Sequence, residues 1–106
     1  MRILEKFIYT QRMEMRRKIG EVFKAGRLDV GWSIEEASQA SGISNNAIQK
    51  IENGECNSHI YSLFCLERLA ACYGKHLQVS LTDISSEDYL SLREPLFRLL
   101  IKRFLR

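Results

Sequence analysis

Three cysteines in 106 residues, Cys56, Cys65 and Cys72, are odd in number and form no C-x-x-C pair. That argues against a disulfide scaffold and suits a reducing cytoplasm, the expected location. Cys56 and His59 have a metal-like gap, but no second pair completes the four ligands of structural zinc. No metal or other cofactor is therefore expected. His59 and His76, the two histidines, have no Ser or Cys nearby with a base and an orienting acid. There is no Gly-rich phosphate loop either, which argues against an enzyme. No apolar run approaches the ~18–20 residues of a membrane span. The first ten residues, M-R-I-L-E-K-F-I-Y-T, carry Glu5 and Lys6 inside their apolar stretch and make a poor signal peptide. The length fits one domain, residues 1–106, and 45% hydrophobic residues suffice for a single core.

What is present is a punctuated stretch from Trp32 to Gly54, W-S-I-E-E-A-S-Q-A-S-G-I-S-N-N-A-I-Q-K-I-E-N-G. Ser33 and Glu36 have the spacing of a capping box, with Trp32 and Ala37 placed as its hydrophobic staple. Gly42 follows the last turn of that helix, where a left-handed backbone is needed. Ser44 caps a second helix, Asn45 to Asn53, and Gly54 ends it. Two short helices joined by a tight turn containing Gly form a helix-turn-helix pattern. On the second helix Ile48 and Ile51, with Ile43 before it, point inward. Asn45, Asn46, Gln49, Lys50 and Asn53 fall on the other side. That row of amides and one ammonium can hydrogen-bond to base edges in a major groove. A polar helix face is more often simply solvated; the punctuation around this one tips the reading to DNA.

Residues 19–82 resemble the Cro/repressor-type (XRE) helix-turn-helix family. The matching pieces are I-G-E-V-F-K-A-G-R, then S-I-E-E-A, S-G-I-S and I-x-K-I-E-N-G, of which E-N-G is the most specific. The resemblance implies a compact helical domain that binds double-stranded DNA. It implies that Asn45, Asn46, Gln49 and Lys50 read bases and that Asn53 holds a phosphate, with Ser33 and Ser44 at the helix starts among the DNA-binding residues. Ile34 stands at a position that usually holds a phosphate in the family and is often Gln in relatives. Ser38 replaces the commoner Ala and is still small. The resemblance also implies a salt bridge from Arg27 to Glu52 of E-N-G, tying the first helix to the recognition helix.

Charge is unevenly spread. Residues 1–31 hold eight Lys/Arg against four Asp/Glu, residues 32–90 three against eight, and residues 91–106 five against one. The motif core is acidic, while phosphate neutralisation supplies much of DNA affinity. Basic groups must come from the flanks, with Arg12, Arg16, Arg17 and Lys18 the best placed.

Residues 3–9 read as helix, or as a strand pairing with a later one, and Thr10 can cap a fresh helix. From Met15 the residues Ile19, Val22, Phe23 and Gly26 repeat at helical spacing up to Val30–Gly31. Residues 55–60 form a loop in which Asn57, Ser58 and His59 are candidate phosphate donors or plain connectors. Tyr61 to Tyr73 reads as a central buried helix, with Leu63 and Phe64 in the core and Cys65 and Cys72 as small core residues. Gly74 ends it. Leu77, Val79 and Leu81 alternate with polar residues, the pattern of a half-buried strand. Such a strand needs a partner: the same strand of a second subunit, or residues 2–9. The run L-E-R-L-A-A-C-Y-G-K-H-L-Q-V-S-L resembles the HipB-like and HigA-like antitoxin branch of the family, which implies a strand-built homodimer and a toxin protein as a further partner. Ser85 or Ser86 caps a last helix, with Pro95 kinking it or Ser91 and Glu94 restarting it. Its Arg98, Lys102, Arg106 stripe could favour a membrane surface, but burial of its apolar face in protein is the commoner outcome.

The expected fold is thus all-α: a four- to five-helix repressor-like domain with one short β-strand and a C-terminal helix. Residues 15–74 form the helix-turn-helix core and 75–106 a dimerisation extension. The expected function is a DNA-binding transcriptional regulator, a repressor by operator occupancy. The alternatives are an antitoxin that binds a toxin and represses its own operon, and a protein-binding module suggested by the acidic core.

Overall fold

The computed structural model describes residues 3–55, 62–90 and 92. The order of elements is α1 (Ile3–Asp29), α2 (Ile34–Ser41), α3 (Asn45–Asn53) and α4 (Leu63–Cys72), and residues 86–90 are also helical. Arg12–Gln78 form one compact unit, and Met1–Gln11 with Val79–Arg106 a second.

α1 is one continuous helix of 27 residues, about 40 Å long at 1.5 Å per residue. Thr10 does not start a new helix. No Gly or Pro interrupts residues 3–19, and the strong helix formers that follow Thr10 carry the first segment straight on. Gly31, at φ 75°, ends the run and donates its N–H to the Leu28 carbonyl at 3.0 Å. Along the C-terminal half of α1 the buried positions are Gly20, Phe23, Gly26 and Arg27, a single stripe.

The core of the larger unit gathers Phe23 from α1, Ala37 from α2, Ile48 and Ile51 from α3, and Leu66, Leu69 and Ala70 from α4, with Tyr73 just after it. α2 packs on both α3 and α4. Trp32 lies edge-on to Tyr73, with ring centroids 6.0 Å apart. Close packing at α1 depends on absent side chains. A Cβ on Gly20 would sit 2.5 Å from the Glu52 carbonyl oxygen and 2.7 Å from that of Ile51. Only hydrogen fits there, so α1 and the end of α3 meet backbone to backbone.

Two expectations change on α4. The helix starts at Leu63, capped by Ser62, whose hydroxyl accepts from the Cys65 N–H at 3.2 Å. Leu63 and Phe64 are exposed rather than in the core. α4 buries one stripe, Leu66, Leu69 and Ala70, continued by Tyr73 just after it, and among the described residues no further layer covers the opposite side. Phe64 instead carries the Arg68 guanidinium 5.9 Å above its ring. Cys65 and Cys72 are half-buried.

The expected strand at 77–82 is not formed, and the described residues contain no strand. Leu77 packs against the core, but Val79 and Leu81 are 84% and 99% exposed. A strand exists only through a ladder with a neighbour. The one neighbour offered within the chain, residues 2–9, is committed from Ile3 onward to α1. Of the two candidate caps for the last helix, Ser85 serves: its hydroxyl accepts from the Asp88 N–H at 3.2 Å and its carbonyl from the Tyr89 N–H at 2.9 Å. The expectations for Asn57, Ser58 and His59, and for Ser91, Glu94, Pro95 and the Arg98, Lys102, Arg106 stripe, lie outside the described residues. No helix among the described residues is long and apolar enough to cross a membrane.

Candidate nucleic-acid interface

The turn between α2 and α3 is held by its own short polar groups. Ser33 accepts from the Glu36 N–H at 3.1 Å, and the Glu36 carboxylate accepts from the Ser33 N–H at 3.2 Å, closing the capping box. At the other end of α2, Gly42 adopts φ 76°, a left-handed conformation that side chains with a Cβ resist, and donates to the Ser38 carbonyl at 2.9 Å. Ser41, fully buried, locks the corner: its hydroxyl donates to the Ala37 carbonyl at 2.7 Å and accepts from the Ile43 N–H at 3.1 Å. The sequence reading missed this serine. Its signal was an apolar-face position on α2 filled by a small residue able to bond within its own turn.

α3 follows at once. Ser44 accepts from the Ala47 N–H at 3.1 Å. Ile48 and Ile51 are wholly buried and fix which way the helix faces. Asn45, Asn46, Gln49 and Asn53 are consequently exposed, and Lys50 is half-exposed. Among the described residues, none of these five side chains has a hydrogen-bond or ion-pair partner. Their donors and acceptors are free for a ligand. Ser33 and Ser44 are exposed at the starts of α2 and α3, each using its oxygen as a cap. Ile34 packs against the core and offers no polar group at the head of α2.

The far end of α3 is anchored by charge. Arg27 Nε donates to Glu52 Oε2 at 2.8 Å and Arg27 Nη2 to Oε1 at 2.9 Å, a two-point guanidinium–carboxylate pair with side chains 9% and 5% exposed. Arg27 Nη1 also donates to the Trp32 carbonyl at 2.8 Å. One side chain thus joins α1, the entry to α2 and the C-terminal turn of α3. Hydrogen bonding to Glu52 raises the pKa of Arg27 further, against the effect of burial. Gly54 closes α3 at φ 71°, directly against the backbone of Arg16 and Arg17.

Of the flanking cations, Arg17 is already engaged. Its guanidinium pairs with Glu21 at 2.6 Å and Glu14 at 3.1 Å along its own helix. Arg12, Arg16 and Lys18 have no such partner among the described residues.

A capped two-helix corner that presents an exposed amide row on a buttressed second helix defines a helix-turn-helix protein. A helix-turn-helix family model matches residues 23–83, more than half of the chain. The chain belongs to that family, of the Cro/repressor (XRE) type, whose function is DNA binding and which is typically non-enzymatic. Comparisons with curated proteins and with solved structures gave no match. Nothing in them selects the HipB-like or HigA-like branch.

Proposed function

We propose that this protein is a sequence-specific transcriptional regulator that represses by occupying its operator. α3 enters the major groove, with Asn45, Asn46, Gln49 and Lys50 at base edges and Asn53 at a phosphate. The observation that carries this reading is the exposed polar row on α3, unpartnered among the described residues although its helix is fixed by packing on α2 and by the Gly20 and Arg27 contacts from α1. A solvated face needs no such fixing. A face that must present hydrogen-bonding groups at set positions does, because a bidentate amide–adenine contact depends on geometry.

The regulator acts as a homodimer, with two α3 helices spaced by about one turn of DNA (~34 Å). Exposed Val79, Leu81, Tyr89 and Leu90 support this. They follow the helix-turn-helix core closely in sequence and give a second copy apolar area to bury. The experiment is selection of bound duplexes from random DNA. A repressor of this kind enriches a two-fold symmetric site with A·T pairs where the asparagines fall. Recovery of no common sequence would refute it.

A further inference from the structure

The acidic core leaves open how this domain neutralises phosphate, and the shape of α1 answers it. At about 100° per residue, Arg16 and Arg12 both fall within about 20° of Phe23 around the helix axis. They continue the stripe Arg27, Phe23, Gly20 that packs on the end of α3. At Gly20 that stripe touches the carbonyls of Ile51 and Glu52, and at Arg16 the α1 backbone lies against Gly54. Arg12 is one further turn, about 6 Å, beyond Arg16. Beyond Gly20, where α3 stops beneath it, the stripe carries two guanidinium groups, Arg16 and Arg12, that unlike Arg27 meet no carboxylate among the described residues. Arg16 is half-buried, Arg12 is exposed, and neither has an ion-pair partner among the described residues. Arg17 is spent on Glu14 and Glu21, and Lys18 projects about 140° away from Phe23.

We propose that Arg16 and Arg12 form a phosphate clamp on the DNA strand that borders the groove entered by α3, next to Asn53. The proposal rests on α3 being the groove-reading helix. It assigns the clamp to two of the flanking cations and excludes Arg17 and Lys18. The clamp adds affinity without sequence information, because phosphates are the same at every base pair. It supplies the positive charge that the core of the domain lacks.

The test measures affinity against salt concentration for two duplexes, the one enriched by selection and a scrambled one. Four proteins are compared: the unmodified chain, Arg12→Gln with Arg16→Gln, Arg12→Lys with Arg16→Lys, and Lys18→Gln with Lys24→Gln as an equal-charge control. Circular dichroism and thermal midpoints establish that each is folded. The glutamine pair should flatten the slope of log affinity against log salt by about 2 per protomer, from about 0.9 per phosphate lost. It should weaken both duplexes by the same factor. The lysine pair should retain the slope, which keeps the prediction testable if the glutamine pair folds poorly. The control pair should leave the slope near that of the unmodified protein. A glutamine pair with the control's slope overturns the clamp while the α3 reading stands, as the retained preference for the selected duplex will show. Absence of duplex binding by the unmodified protein overturns both.

Discussion

Arg27→Met removes a guanidinium whose side chain is 9% exposed from a carboxylate whose side chain is 5% exposed. The Glu52 carboxylate gives up both of its hydrogen bonds from Arg27, at 2.8 and 2.9 Å, and has no other among the described residues. Glu52 is left as a buried charge without its counter-charge, which costs about 3–5 kcal/mol. The Trp32 carbonyl also loses its 2.8 Å donor, adding on the order of 1 kcal/mol. Against a domain stability of about 5–15 kcal/mol this is a large fraction. Met fills much of the same volume, so a cavity contributes little. Arg27→Met combined with Glu52→Gln leaves no lone charge and should recover part of the loss. The assay is denaturant unfolding of the unmodified chain, both single variants and the double. DNA affinity of Arg27→Met should fall as well, since the C-terminal turn of α3 loses its tie to α1. Single losses that add within about 0.5 kcal/mol would show that the pair does not couple and that Arg27 does not hold α3 through Glu52.

Gly20→Ala should destabilise by about 1–3 kcal/mol, since its Cβ meets two backbone carbonyls that cannot rotate away. Gly26→Ala should be near neutral: its Cβ meets the Tyr73 ring at 3.2 Å, which can give slightly, and Ala gains about 1 kcal/mol of helix propensity. Equal unfolding midpoints for the two variants would refute the close approach at Gly20. Tyr73 is buried, and its hydroxyl has no partner among the described residues, so Tyr73→Phe should hold or raise stability by about 1 kcal/mol. Burial first, and the Glu52 charge second, push the Tyr73 pKa up to about 12 from 10.0. A phenol raised in the folded state contributes stability that is fully present below about pH 10 and lost as pH rises through about 12, at up to about 1.4 kcal/mol per pH unit. Chemical unfolding across that window should show the decline, and Tyr73→Phe should show less of it. In sedimentation equilibrium the unmodified protein should be dimeric at micromolar concentration. Val79→Asp with Leu81→Asp should shift it to monomer, and a monomeric unmodified chain would defeat the dimer.

The short-range features were readable because each depends on residues a few places apart. Ser33-x-x-Glu36, Gly42, Ser44 and Gly54 state the corner outright, and the buried pair Ile48 and Ile51 sets the facing of α3. Arg27 and Glu52 are 25 residues apart, and no local pattern links them; only the family resemblance brought them together. Gly20 escaped notice because a glycine within a helix gives no sign of what approaches it from another element. The strand failed for a related reason. Alternation at 77–82 reports two unlike faces, but strand formation is settled by a neighbour that the alternating residues do not contain. Apolar residues on most sides of α4 point to Leu63 and Phe64 as core, whereas burial is set by what packs against each side of the helix.

The central claim is that the exposed amides of α3 read base edges, and Asn46 tests it most directly. Asn46 is exposed in the first turn of α3 and its side chain has no hydrogen-bond or ion-pair partner among the described residues, so its replacement should leave the scaffold alone. Affinity of Asn46→Ala should be measured on the duplex enriched by selection and on random-sequence DNA at one salt concentration. The expected result is a loss of about 1–3 kcal/mol on the enriched duplex and little on random DNA. An equal loss on both would mean that Asn46 binds DNA without reading it, and no loss on either would mean that α3 does not face the groove.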